Sequence, residues 1–364
     1  MPVRADEPAQ GSTVADVLDI ADLRWRVNEQ LKAFLATKTA ACAPGEVGGT
    51  LLTPAVSLVL GRGKRLRAAL CYWAWRGAGG PDGESVIVAA SALELLHGCA
   101  LIHDDVMDDS AIRRGQPAAH RQFASAHAVN GWRGRADQFG IAAAILAGDL
   151  CLIWADEMLS SSGLSGDRLL RARAVYDAMR QQTVLGQYLD LSTQAARSTR
   201  PSDAWRVARD KTAANTTCGP LAFGAALVGA APDTCAAYAA YADPLGVAFQ
   251  LHDDLLGAFG EPAVTGKPSG DDLRDGKCTV LLTQARQMGG PRVAARIDEL
   301  LESSTSDAVG ELRELLDSCG ARAYVETQVR QLGHQAGRAL DDSPVDPEAR
   351  DVLQQLAIGL TTLS

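Results

Sequence analysis

Apolar residues recur along most of this chain at the three-and-four spacing of buried helix faces, in long stretches rich in Ala and Leu. Ala and Leu favour helices, and the β-branched alternation of strands is scarce. Clusters of Gly, Pro, Ser and Asp interrupt the pattern near Ala43-Pro44-Gly45, Gly77 to Gly83, Asn130-Gly131, Ser160 to Gly166, Ser198 to Pro201, Gly260 to Gly270 and Ser343-Pro344. With helices of about 11–12 residues as the norm, this predicts an all-α, single-domain bundle of about ten or more helices. No linker stands out and no repeat of fixed period occurs. Residues 1–15 carry Arg, Asp and Glu without an apolar run. They read as a flexible N-terminal tail rather than a secretory signal, with the bundle over 16–364.

Two segments resemble membrane spans. Val86 to Ile102 holds Glu94 and His97 inside, and Ile141 to Trp154 is shorter and holds Asp149. A span needs about 20 apolar residues with few or no charges, so both are expected to be buried helices of the bundle, with no membrane span.

Composition narrows the function. Of 364 residues, 47% are hydrophobic and 22% charged, and the formal charge is −9. This is globular composition without the basic surface that a nucleic-acid partner requires. The eight cysteines are dispersed and form no C-x-x-C pair. A zinc ribbon or dense disulfide framework is therefore not indicated, and a cytoplasmic location fits.

Carboxylates gather at the end of the first buried helix, in His103-Asp104-Asp105-Val106-Met107-Asp108-Asp109. Asp104 and Asp108 are four apart and share a helix face, separated by about 6 Å along the axis, and Asp105 and Asp109 would form a second such pair. Like charges at that spacing repel. Either the cluster is a solvated helix end, or cations hold it. Hard oxygen donors without a His or Cys ligand pattern favour Mg²⁺ over zinc. A second pair, Asp253-Asp254, ends the apolar stretch Phe249-Gln250-Leu251-His252. Helices bearing such pairs can bind metal across a bundle core, but nothing in the sequence says that these two face each other.

Basic residues follow the acidic ones. Arg113-Arg114-Gly115 follows the first cluster, and Gly266-Lys267 and Gly276-Lys277 follow the second; Gly63-Lys64-Arg65-Leu66-Arg67 and Lys211-Thr212 lie elsewhere. Each alone reads as a solvated face. Together, carboxylates, Mg²⁺ and Lys or Arg suit phosphate chemistry. No P-loop, no G-x-S-x-G and no H-E-x-x-H occurs, and no nucleophile–base pair is evident.

The constellation resembles the trans-type isoprenyl diphosphate synthases, the polyprenyl synthetase family. The residues that carry the resemblance run in family order over about Gly61 to Lys277 and include His97, Gly148-Asp149, Gly186-Gln187, Asp190 and the motifs above. The two residues between Asp105 and Asp108 are similar to those of bacterial enzymes that make geranylgeranyl diphosphate. The resemblance implies a bundle around a deep central apolar cavity, and a homodimeric enzyme that condenses isopentenyl diphosphate with an allylic diphosphate. It implies Mg²⁺, three ions per active site. Asp104 and Asp108 would bind metal directly with Asp105 in support, Asp253 would bind a further ion, and Asp254 would act through water. Arg113, Lys211, Lys267 and Lys277 would bind the allylic diphosphate. Lys64, Arg67, His97 and Arg114 would bind isopentenyl diphosphate. Thr212 and Gln250 would lie beside the developing carbocation. Small residues at Cys99 and Ala100, one turn before Asp104, would leave the product slot open past farnesyl length.

Two positions depart from the family pattern: Gly257 stands where a last Asp is usual, and Ala68 where a Pro is usual. The alternatives are a synthase of longer or shorter products, a terpene cyclase of the same architecture, and a non-catalytic modulator subunit. A cyclase needs no second diphosphate site, and a modulator is expected to have lost an Asp motif.

Overall fold

The computed structural model describes residues 22–41, 47–61, 63–260, 273, 276–303 and 306–361. The helices are α1 (Leu23–Ala40), α2 (Val47–Leu60), α3 (Leu66–Gly77), α4 (Glu84–Met107), α5 (Ala119–Val129), α6 (Ala136–Ser160) and α7 (Gly166–Ala195). They continue with α8 (Pro201–Val207), α9 (Gly219–Val228), α10 (Pro232–Phe259), α11 (Val280–Glu302), α12 (Ser306–Ser318), α13 (Ala321–Arg338) and α14 (Pro347–Thr361). A π-helical stretch, Ala208–Cys218, joins α8 to α9. Among the described residues the only strands are Ile112–Arg113 and Gln116–Pro117, one antiparallel hairpin. The chain is all-α.

The breaks read from the sequence fall at helix ends wherever the residues are described. Two apolar segments become the long helices α4 and α6, which pack on each other. Both pass a length and hydropathy test for a membrane span, with 67% and 44% of the tested windows buried in the protein. In α4 the burial is nearly continuous from Val86 to Leu95, because the helix has neighbours on several sides. A helix that is apolar all round needs an apolar surround, and α4 finds it in the helices packed against it.

Close approach of helices depends on a few glycines. A Cβ on Gly186 of α7 would lie 2.3 Å from the backbone nitrogen of Lys211. A Cβ on Gly148 of α6 would lie 2.2 Å from His103 Nε2. Both sites require the absence of a side chain. They bring α6 and α7 against the elements that carry the polar residues described next. Residues 1–15, expected as a tail, lie outside the described residues.

Candidate active site

The first acidic cluster closes α4. Asp108 caps the helix, with its N–H donating to Asp104 O at 2.8 Å. The expected pairing of Asp105 with Asp109 does not occur. The helix stops at Met107, and Asp109 turns away at φ 50° to accept from Arg121 Nη2 at 2.7 Å. Four carboxylates at a helix C-terminus would add their repulsion to the negative end of the dipole, and turning one out relieves both.

The two-residue loop Arg114-Gly115 has φ of 53° and 74°, the left-handed pair that tight hairpins need. It folds Arg113 back over the helix end. Arg113 Nε donates to Asp105 Oδ1 at 2.8 Å, and its Nη2 to Asp104 Oδ2 at 3.3 Å. Asp105 is 1% exposed, so its carboxylate holds Arg113 in place rather than facing the cavity.

The π-helical stretch presents Lys211, Thr212, Asn215 and Thr216. Lys211 Nζ bridges Asp104 Oδ1 at 3.1 Å and the buried Asp190 Oδ2 at 2.7 Å. Lys277 Nζ donates to Asp108 Oδ2 at 2.7 Å. Burial acts to raise the Asp104 pKa, but Lys211, Arg113 and Lys277 outweigh it and hold the carboxyl below its ordinary value. Burial opposes the charge on Lys211 in turn, and Asp104 and Asp190 overcome it, so its pKa is raised.

The facing side comes from α10. Thr212 Oγ1 hydrogen-bonds Gln250 Oε1, and Gln250 Nε2 donates to Asp254 Oδ1 at 2.7 Å. A cavity of about 360 Å³ is lined by Asp104, Arg113, Lys211, Lys277, Thr212, Gln250 and Asp253 together. The two acidic clusters, unplaced relative to each other in the sequence, therefore open onto one space. Lys267 lies outside the described residues.

A second cavity of about 400 Å³ adjoins it and shares Arg67, His97, Arg114, Phe249 and Asp253. It also takes in Lys64. Arg67 is held by Thr216 Oγ1 at 2.8 Å and Asn215 O at 3.1 Å, and Arg114 by Leu58 O at 3.0 Å. Burial draws the Arg67 pKa down to about 10, with Glu94 and Asp253 opposing and Arg114 assisting, so it remains a cation near neutrality. Burial, followed by Arg67, Arg114 and Arg113, pushes His97 well below its usual value. The ring is neutral, and its Nδ1 is buried with no partner among the described residues. Cations and a neutral imidazole around one pocket form a site for an anion.

The departure at Ala68 has a local account. Its N–H donates to Glu94 Oε1 at 3.2 Å, a bond that a proline could not make. Glu94 also forms a buried pair with Arg65 at 3.5 Å.

Below the polar cavity lies an apolar one of about 570 Å³. The two share Ala100, Thr183, Gln187 and Asn215, so one continues into the other. Cys99 and Ala100 both line the lower space. Burial pushes the Cys99 thiol up to about 12, so it is an inert wall group. Sequence reasoning missed Asn215, Thr216 and Thr183, which carry no motif chemistry and become wall or anchor only through the π-helix and α7.

Among the described residues, no three His, Cys, Asp or Glu side chains form a ready-made metal cage. The donor set nevertheless fits Mg²⁺, which characteristically takes one or two carboxylates and completes its shell with water and substrate phosphate.

Fold and site define an all-helical enzyme of diphosphate chemistry with a hydrophobic acceptor slot. The model of the polyprenyl synthetase family matches residues 49–319, and the chain belongs to that family; it is a trans-prenyltransferase. A crystal structure of geranylgeranyl pyrophosphate synthase from Corynebacterium glutamicum, complexed with isoprenyl diphosphate and magnesium, superposes with a TM-score of 0.89. The two are 36% identical, over 96% of this chain and 99% of that one. Geranylgeranyl diphosphate synthase of Mycobacterium tuberculosis is 35% identical over 77% of this chain and 72% of its own. The short chain isoprenyl diphosphate synthase of Methanothermobacter thermautotrophicus is 31% identical over 85% of this chain and 89% of its own.

Proposed function

We propose that this chain condenses isopentenyl diphosphate with an allylic diphosphate to make geranylgeranyl diphosphate. The observation that carries the reading is a polar cavity, shared by both Asp-bearing helices, that opens directly onto an apolar slot walled by small residues at Cys99 and Ala100. Asp104, Asp108 and Asp253 would hold three Mg²⁺ ions together with the diphosphate, Asp105 in support and Asp254 through water. Bound Mg²⁺ supplies positive charge where the leaving diphosphate becomes negative.

The remaining steps belong to the chain's own residues. Arg113, Lys211, Lys267 and Lys277 grip the allylic diphosphate and stabilise it as the C–O bond breaks and the electron pair leaves with oxygen. Thr212 and Gln250 present oxygen dipoles to the allylic cation, while the apolar walls exclude water that would quench it. Lys64, Arg67, His97 and Arg114 hold isopentenyl diphosphate so that its double bond supplies the pair for the new C–C bond. The proton then lost passes to an oxygen of the released diphosphate, so no protein nucleophile is needed. The second cationic pocket favours condensation over cyclisation of a single substrate, since a cyclase has no second diphosphate to hold. Retention of both Asp pairs favours a catalytic subunit over a modulator.

We also infer a homodimer. Ile145, Leu146 and Ile153 of α6 and Val184, Leu185 and Tyr188 of α7 are large apolar side chains exposed on the described surface, the signature of a covered face. A cytoplasmic location fits the cysteines, unpaired among the described residues. Turnover of isopentenyl plus farnesyl diphosphate by the purified chain tests the function. Geranylgeranyl diphosphate as the main product supports it, and absence of isopentenyl diphosphate consumption refutes it.

A further inference from the structure

The apolar slot has one charged guanidinium in its wall. Its wall on α4 descends from Met107 through His103 and Ala100 to Leu96, which lies about 12 Å along the axis from Asp104. At the mouth, Gln187 of α7 donates to Met107 Sδ at 3.7 Å. Two turns earlier on α7, about 10 Å from Gln187, the slot is lined by Arg180. From α6 the lining residue is Leu152, and Asp156 follows it by one turn on the same helix face.

Arg180 is fixed from three sides. Its Nη1 donates to Asp156 Oδ1 and Oδ2 at 3.0 and 3.2 Å, its Nη2 to Asp177, and its guanidinium stacks on the Tyr176 ring at 4.3 Å. The side chain is 18% exposed, whereas Asp156 and Asp177 are 38% and 46% exposed. Arg180 thus lines the slot beside the exposed Val184 and Leu185, and its ion pair with Asp156 ties α7 to α6 where the slot nears the surface.

We propose that Arg180, held by Asp156, is the floor that sets product length. This rests on the condensation reading above and names the residue that ends chain growth. An aromatic floor stops a chain by bulk. Here the stop is electrostatic as well as steric: a further isoprene unit would have to displace the guanidinium and strip water from a paired charge to bury its methyl groups. Without the charge, the end of the slot is apolar and a longer tail can pass Leu96 and Leu152 toward the surface.

The test is product analysis by chromatography after dephosphorylation, with farnesyl diphosphate as primer and excess isopentenyl diphosphate. Arg180→Leu should shift the main product longer by one isoprene unit or more. Arg180→Lys, which can still pair with Asp156, should keep the native length. Asp156→Asn, an exposed and mild change, should shift the distribution in the same direction by less. Arg173 pairs with Asp177 at 2.9 Å and reaches Asp156 at 3.9 Å but does not line the slot, so Arg173→Leu should leave the products unchanged. Native product length in active Arg180→Leu and Asp156→Asn enzymes overturns the proposal, as does a shift to shorter products. If Arg180→Leu does not fold, Asp156→Asn decides alone. Failure of the native enzyme to elongate farnesyl diphosphate at all would instead refute the condensation reading.

Discussion

The polar cavity and the apolar slot share four wall residues and otherwise have opposite chemistry. In the upper space nearly every functional side chain is already committed. Asp104 is held by Lys211 and Arg113, Asp108 by Lys277, and Arg67 by Asn215 and Thr216. In the lower space most of the wall is apolar, from Leu96, Ala100, Met107, Leu152, Val184 and Leu185 with the protonated Cys99 thiol, and Arg180 is its one charged guanidinium. On the proposed function, the difference means that rate and length are set in separate places. Charges positioned before substrate arrives lower the barrier without reorganisation. A slot whose wall is mainly apolar offers the growing chain room rather than charge.

If that division holds, upper-cavity variants change rate or affinity and leave product length alone. The largest effect is expected from Asp104→Asn, with turnover falling on the order of 100-fold or more, as for loss of a group that stabilises transition-state charge. Single-turnover assays with both substrates would show it, and full activity would remove Asp104 from the site.

Next comes Arg67→Met. Loss of one charge-assisted bond worth about 1.5–3 kcal/mol should raise KM for isopentenyl diphosphate about 10- to 100-fold. KM for the allylic diphosphate should stay nearly constant. Equal rises in both would merge the two pockets that the structure separates.

The slot gives the converse. Cys99→Phe or Ala100→Phe should shift the product toward farnesyl diphosphate while isopentenyl diphosphate is still consumed with a geranyl primer. Unchanged product length in both active variants would place the wall elsewhere.

The smallest effect concerns pH. His97 has a pKa well below its ordinary value of about 6.5 because it is buried among arginines. The unfolded chain therefore takes up a proton that the folded one refuses, and stability is lost as pH falls below about 6.5. One group contributes at most about 1.4 kcal/mol per pH unit. His97→Gln should accordingly reduce the drop in Tm between pH 7.5 and 5.5 by a few degrees. An unchanged drop would mean that His97 is protonated in the fold.

The upper cavity was far more legible in the sequence than the lower one, for physical reasons. Asp104, Asp108, Asp253, Lys211 and Lys277 are residue types that are costly to cluster without a purpose, so they stand out against an apolar helix. Their facing across one cavity was not legible, because it depends on helix packing. The π-helical stretch left no trace either: its register is set by neighbours such as Gly186 and Gly246, against which Lys211 and Thr217 pack closely, not by local propensity. The slot is harder still. Leu152 and Thr183 look like any other residues of a helical core until the fold places them around a space. Asp109 is the instructive miss, since helical spacing put it beside Asp105 and the helix ended two residues too soon.

The most direct test of the account is a metal titration of the purified native chain with farnesyl and isopentenyl diphosphates, read as product formed. The account predicts no turnover after chelation, and geranylgeranyl diphosphate as the main product once Mg²⁺ is restored. Elongation that proceeds unchanged under chelation, or Mg²⁺-dependent release of a cyclic hydrocarbon from geranylgeranyl diphosphate with no isopentenyl diphosphate consumed, would contradict it.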